Sequence, residues 1–403
     1  MTDGMREVSP TAGLPLSWRD LMPSGASLER SLATFLCQPD AQIECSGTAA
    51  LIVALATLKR TSSRRSVVIT AYTCPLVALA VAHCGLKPVL CDTRRNHFDL
   101  CPESLAAVCG RDTLAVIPTH LGGRVADLAA ATAIAKSVGA CVVEDAAQSL
   151  GASWRGQPVG SLGDIGFYSL GVGKGLTIYG GGVVIARDGD LRRQLRATSA
   201  EIAPYRLVWE IRRLLEIVGY IALYRPSGMR FAYGLPLRRK LREGKLIEAV
   251  GDDCSADIPL HRVGAWRKMI GASALERLPA FLDAAAVQAM RRKPRLDEIP
   301  GVSVMDDVAG NVGTWPFLQV LMPTQQARDK ALARLWHEGL GIGRLYIHAL
   351  PDYQYLASMF SNAVTPNARD FAARMLTISN SPWLDEDDFM HICSVLKEQS
   401  SLS

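Results

Sequence analysis

Between Gln42 and Arg187 short β-branched runs alternate with Ala-rich runs of helical length. The strand-like runs are 67–70 (VVIT), 87–92 (KPVLCD), 114–120 (LAVIPTH), 140–145 (ACVVED), 164–170 (DIGFYSL) and 181–187 (GGVVIAR). The helical runs between them are TAALIVALATLKR, PLVALAVAHCG, PESLAAVCG and DLAAATAIAKSVG, with Gly85 and Gly139 placed as C-caps. Such alternation specifies an α/β fold, a parallel or mixed sheet with helices on both faces. Ligands of open α/β sheets sit beyond the carboxyl ends of the strands. Asp92, His120, Asp145 and Ser169 fall at those ends.

The rest of the chain divides by composition. Residues 1–25 read as an irregular arm rich in turn formers, without the apolar core of a leader segment. Residues 26–190 form the large α/β domain, entered by a helix that Ser27 caps weakly. Residues 191–260 form a helical, basic and apolar insertion, ending in a linker at 252–259. Residues 261–403 form a smaller α+β domain: one long helix (WRKMIGASALERLPAFLDAAAVQAMRRK), short strands, and a last helix capped by Asp385.

Hydrophobic residues make up 49% of the 403, so the chain can bury a large core. The net charge of +5 suits a phosphorylated partner, and its surplus arginines lie mainly between Arg192 and Arg242. With 6% aromatics and no recognition motif, nucleic-acid binding is not expected. The ten cysteines include no C-x-x-C pair and no metal-ligand spacing, which reads as reduced thiols in a cytoplasmic protein without a metal. No apolar run approaches the ~18 residues of a membrane span. Peripheral membrane contact through 205–245 stays open, because basic amphipathic stretches bind anionic interfaces.

Three segments carry chemistry. SGTAAL places Thr48 and Ala49 at a helix start, where N–H groups and a hydroxyl suit a phosphate, although the same residues could cap any helix. ACVVEDAAQS ends a strand with Glu144 and Asp145, and Gln148 follows. Glu144 reads as a structural salt bridge. Asp145 could hold a metal, a ribose or a heterocycle nitrogen. GFYSLGVGKGL places Lys174 among glycines, five positions after Ser169. Such a lysine can lose its proton and attack an aldehyde, or be a surface lysine on a loop. The phosphate-loop pattern is absent, since Gly175 follows the lysine.

Taken in order, SGTAAL, VVITAYT, GLKPVLCD, IPTHLGGRVADL, VVEDAAQSLGA, WRGQPVGSLGDIGFYSL, the lysine turn and GGGVVI resemble the DegT/DnrJ/StrS family of sugar aminotransferases. The resemblance resumes at ALERLPAFL and SPWLDEDD. It implies a fold-type-I transferase dependent on pyridoxal 5'-phosphate, with a mostly parallel seven-stranded sheet, a smaller C-terminal domain and a homodimeric assembly. By this resemblance Lys174 is the Schiff-base lysine and Asp145 the partner of the ring nitrogen. Gln148 lies near the ring hydroxyl, and Thr48, Ala49 and Ser169 take the phosphate. Cys74 stands at the ring-face position where the family usually has an aromatic. Of the family's Asn-x-Arg-Met segment only Arg262 is matched.

The expected reaction moves an amino group from an amino acid, glutamate first, to a keto-sugar, nucleotide-linked in the family, in sugar or polysaccharide biosynthesis. The alternatives are a lipid-linked or hydrophobic keto substrate and a non-catalytic, regulatory cofactor-binding protein. His120, Arg124, Trp315, Arg344 and His348 lie near turns that could line a pocket and are expected to be structural.

Overall fold

A computed structural model describes residues 6–22 and 25–401; residues 1–5 and 23–24 of the expected arm lie outside the described residues. Seven strands form the main sheet: β1 (Gln42–Glu44), β2 (Ser66–Thr70), β3 (Lys87–Cys91), β4 (Thr113–Ile117), β5 (Cys141–Asp145), β6 (Ile165–Ser169) and β7 (Gly182–Ala186). Their order is β1-β7-β6-β5-β4-β2-β3. The pairs from β6 through β3 are parallel, and β7 runs antiparallel to both β6 and β1.

The central strands are apolar throughout because both faces are covered. Val67 and Ile69 pack into one cluster with Leu51, Leu55 and Val81, whereas Val68, between them, packs with Val116, Val142 and Ala135 on the other face. Each such fully buried Val, Leu or Ile stabilises the fold by about 1.5–3 kcal/mol. The sequence pattern marks six of the seven strands. The seventh, β1, has only three residues, two of them polar, and completes the edge beside β7.

The C-terminal part holds a second, antiparallel sheet: β8 (Ser303–Val304), β9 (Phe317–Leu321), β10 (Ile342–Gly343) and β11 (Met375–Ser379), in the order β8-β9-β11-β10. Helices Gln325–Leu335 and Glu386–Ser401 pack beside it, with Ala331, Leu335, Phe389 and Leu396 in one core with Leu318 and Ile378. Asp385 caps the last helix, its Oδ1 accepting from Asp388 N at 2.9 Å. The stretch expected as one long helix is two, Ala265–Leu275 and Leu278–Asp297. Pro279 sits in the first turn of the second helix, where a proline's missing N–H costs nothing and marks a start.

Residues 252–259 have no helix or strand but are anchored. Buried Asp252 accepts from Ile347 N at 2.8 Å and from the Tyr353 hydroxyl. The insertion contains helices Leu207–Leu223, Leu235–Arg242 and Leu246–Val250. A buried ion pair fixes the first of these: Glu210 accepts from Arg267 Nη2 at 2.6 Å and Nε at 3.0 Å, and from Gly264 N at 2.7 Å. Arg267 also donates to Gly180 O, at the far end of the lysine segment. No helix among the described residues is long and apolar enough to cross a membrane.

Candidate active site

A cavity of about 270 Å³ opens at the carboxyl ends of the parallel strands. Asp145, Gln148, Ser169, Lys174, Thr48 and Cys74 all line it. Residues more than a hundred positions apart meet here because β5 and β6 are neighbours and the helix Gly47–Arg60 starts beside them.

The helix start forms one wall. Ser46 caps the helix, its Oγ accepting from Ala49 N at 2.9 Å. Ala49 is buried and does not reach the cavity; Ser46, Gly47 and Thr48 do. Glycine at 47 lets the helix start pack closely on Ser169, since a Cβ there would stand 3.0 Å from the Ser169 Cβ. This packing sets the Ser169 and Thr48 hydroxyls beside N–H groups of a first helical turn, which have no partners within the helix.

Asp145 ends β5 and is buried. Its Oδ1 accepts from Ala147 N at 3.0 Å. Burial raises its pKa, opposed by that N–H, by the Lys174 charge, by His120 and by Thr119. Beside it, Glu144 is wholly buried and points away from the cavity. Its carboxylate accepts from Gly160 N at 2.7 Å, Leu162 N at 2.6 Å, Gly163 N and His120 Nε2 at 3.1 Å. The His120 Nδ1 accepts from Ala126 N at 3.1 Å, which leaves Nε2 to donate to Glu144. Glu144 is held by three backbone amides as well as by its bridge to His120.

Lys174 follows β6 on a tight turn. Gly173 has φ +77, and a Cβ there would come within 2.4 Å of Thr11 Oγ1. The N-terminal arm crosses over this turn, with Leu14 N donating to Gly175 O at 3.0 Å. Burial lowers the pKa of Lys174, opposed by Cys74 and Asp145. A lowered pKa eases loss of the proton and makes the amine a better nucleophile and proton carrier. Burial pushes the Cys74 thiol up to about 11, so it is uncharged at neutral pH.

Gln148 bridges two regions. Its Oε1 accepts from Gly122 N at 2.7 Å, which turns Nε2 toward the Tyr346 hydroxyl at 3.2 Å. Tyr346 also lines the cavity, although no motif in the sequence points to it. Arg344 and His348, which flank it, line a separate hollow with Arg328, Asp352 and Arg369. The only signal in the sequence is an aromatic after the Gly339, Gly341, Gly343 turn.

Of the remaining turn residues, Trp315 lines a second cavity beside Lys174, and the arginines bind carboxylate or backbone groups. Arg124 is buried 3.3 Å over the Trp315 ring and pairs with Asp307 at 2.5 Å. Arg344 donates to Ile347 O (2.5 Å) and to Ala372 O at 2.9 Å. Arg262 caps the helix Gly189–Ile202, donating to Ala203 O at 3.0 Å and Ala200 O at 3.1 Å.

On the other side of Lys174 lies a smaller cavity of about 110 Å³, shared with Gln148 and walled by Leu150, Val172, Phe281, Leu282 and Phe317. Among the described residues, Lys174 is the only charged one in its lining.

Solved structures share this architecture. The putative sugar aminotransferase Spr1654 from Streptococcus pneumoniae superposes with a TM-score of 0.74 at 16% identity, covering 100% of this chain and 99% of that one. Among curated proteins, the "Pleiotropic regulatory protein" of Geobacillus stearothermophilus is 41% identical over 131 residues, 32% of this chain and 35% of that protein. GDP-perosamine synthase of Caulobacter vibrioides is 31% identical over 217 residues, 53% of this chain and 56% of that protein. The chain thus matches from about a third to a little over half the length of these curated relatives. A family model matches residues 12–203 and 262–397, which takes in every residue of the cavity wall and passes over most of the insertion. The chain belongs to the DegT/DnrJ/EryC1/StrS aminotransferase family.

Proposed function

We propose that this chain is a pyridoxal-phosphate-dependent aminotransferase that moves an amino group from an amino acid, with glutamate the first donor to try, to a keto-sugar. The observation that carries the reading is the meeting of Lys174 and Asp145 in one cavity whose far wall is a helix start with the Ser169 and Thr48 hydroxyls. That donor set fits the cofactor: hydroxyls and first-turn N–H groups for a phosphate, a buried carboxylate for a ring nitrogen, an amine for an aldehyde. When bound, pyridoxal phosphate supplies the aldehyde and an electron-withdrawing ring.

The chain's own residues do the rest. Asp145, whose carboxylate is disfavoured by burial, gains by facing a protonated ring nitrogen and thereby holds that proton in place. Lys174, with a lowered pKa, holds the cofactor and then carries the substrate's α-proton on its Nζ. Gln148, its amide oriented by Gly122 and Tyr346, would offer the second Nε2 hydrogen to the ring hydroxyl. Cys74 contributes an uncharged, polarisable face.

A nucleotide-linked keto-sugar is the acceptor proposed first, from the printed activities of relatives such as GDP-perosamine synthase. One observation favours a hydrophobic or lipid-linked acceptor instead: the apolar lining of the cavity beyond Lys174. A homodimer and peripheral membrane contact through residues 205–245 complete the proposal.

The test is an absorbance spectrum of protein mixed with pyridoxal phosphate, for wild type and Lys174→Ala, before and after glutamate. A visible band that needs Lys174 and is bleached by glutamate supports transamination. A band that glutamate leaves unchanged moves the reading to a cofactor-binding, regulatory protein.

A further inference from the structure

The helix Leu207–Leu223 is apolar on two sides. Ile217, Tyr220 and Ile221 are buried against the body. Val208, Ile211, Leu215 and Val218 recur at the i, i+3, i+7, i+10 spacing of a second face, and they are 79%, 50%, 68% and 41% exposed. Phe231 and Leu235, in the turns that follow, are 66% and 46% exposed. Soluble monomers rarely leave a contiguous apolar face of this kind uncovered.

The surroundings of this face are basic. Residues 205–246 carry ten basic and three acidic side chains, a net +7, whereas the whole chain is +5, so the remainder is −2. Some of these charges are internally paired: Arg212 and Arg213 with Glu216, Arg239 and Lys245 with Glu243, Arg238 with Glu7. Among the described residues, no carboxylate lies within 4.0 Å of Arg206, Arg225 or Arg230. Arg206 and Arg225 are exposed as well as unpaired, whereas the charge of Arg230 acts on buried Glu7.

We infer that this face of the insertion docks on an anionic lipid surface, with Val208, Ile211, Leu215 and Val218 entering the headgroup region and Arg206 and Arg225 meeting lipid phosphates. Charge complementarity selects this occupant. A two-fold contact between copies would set the same basic patch against itself, and like charges repel. The contact lies on the surface, since the helix has 17 residues and none in the described chain can cross a bilayer. It deepens the membrane contact proposed above and rests on that reading, and it is independent of the cofactor chemistry.

The test is co-sedimentation of the purified protein with phosphatidylcholine vesicles, with and without phosphatidylglycerol, alongside the visible band with pyridoxal phosphate on the same samples. Wild type is expected to pellet only with the anionic vesicles, and less as salt is added. Ile211→Glu/Leu215→Glu is expected to lower the bound fraction at least tenfold with the band unchanged. Arg206→Glu/Arg225→Glu, which alters only exposed side chains, is expected to do the same and covers the case in which the first variant misfolds. No pelleting with anionic vesicles overturns the inference. So does a glutamate variant that halves the mass in solution while wild type ignores vesicles, which would make the face a subunit contact. Because the band is read in parallel, loss of docking and loss of the aminotransferase reading are distinguishable.

Discussion

The Tyr346 hydroxyl lies 3.2 Å from Gln148 Nε2, so the loop after β10 closes the cavity built on the strand ends of the main sheet. Gly122 N holds the other end of the same amide at 2.7 Å, leaving Nε2 one fixed direction. Tyr346→Phe removes the partner and frees the amide to turn away. Cofactor affinity is expected to fall about tenfold, the equivalent of ~1.4 kcal/mol, with Tm lowered by only a few degrees. Fluorescence titration with pyridoxal phosphate reads the first and a thermal melt the second.

The two ionisable groups at the centre of the site are expected to cost stability. Burial lowers the pKa of Lys174, so between its folded pKa and the unfolded value of about 10.4 the unfolded chain binds more protons, and stability rises with pH across that window. At neutral pH Lys174→Met should therefore raise the Tm of the cofactor-free protein by about 2–4 °C, what ~1 kcal/mol makes in a large domain. The gain should shrink as pH approaches 10.4. For Asp145 the folded pKa is raised, so its cost is absent below about 3.9 and present above the folded pKa. Asp145→Asn should likewise stabilise at neutral pH. Each charge eases the other's burial, so the double variant should gain more than the two singles together. Scanning calorimetry at several pH values checks this; lower Tm values for both singles would contradict it.

The Glu210–Arg267 pair should behave in the opposite way. Both residues are buried, and the arginine spans from the insertion to Gly180. Glu210→Ala leaves a buried guanidinium uncompensated and is expected to cost about 3–5 kcal/mol. Arg267→Met in the same chain should recover part of that loss. Urea melts of the two singles and the double give the coupling.

Cys74 should alkylate slowly. With its thiol pushed up to about 11, roughly a thousandth is thiolate at pH 8, about a hundredfold less than for an ordinary cysteine. Cys37 is exposed and should react first. Timed iodoacetamide labelling with peptide mass spectrometry separates them, and pyridoxal phosphate should slow Cys74 further and leave Cys37 unaffected.

Much of this architecture is legible in the sequence for a physical reason: strands buried on both faces must be apolar, and the helices between them must be Ala-rich to pack. The same logic carries Asp145 and Ser169, polar residues where apolar strands end. It fails where length or distance removes the pattern. Strand β1 is three residues of Gln-Ile-Glu, too short for periodicity, and is a strand only because β7 pairs with it. Tyr346 joins the cavity from a loop almost 200 positions from Gln148, and no local signal records that meeting. The helix break beside Pro279 was written in the chain as a proline and hidden by unbroken apolar spacing around it. At the helix start the residues shift: Ala49 serves the cap, and Gly47 and Thr48 face the cavity.

The most direct measurement is reductive trapping. The protein is incubated with pyridoxal phosphate, reduced with borohydride, digested and mapped by mass spectrometry. The expected result is one phosphopyridoxyl-modified peptide, the one containing Lys174, lost when glutamate precedes the borohydride and absent in Lys174→Ala. Modification of another lysine, or equal labelling in Lys174→Ala, would contradict the assignment on which the account of this site stands.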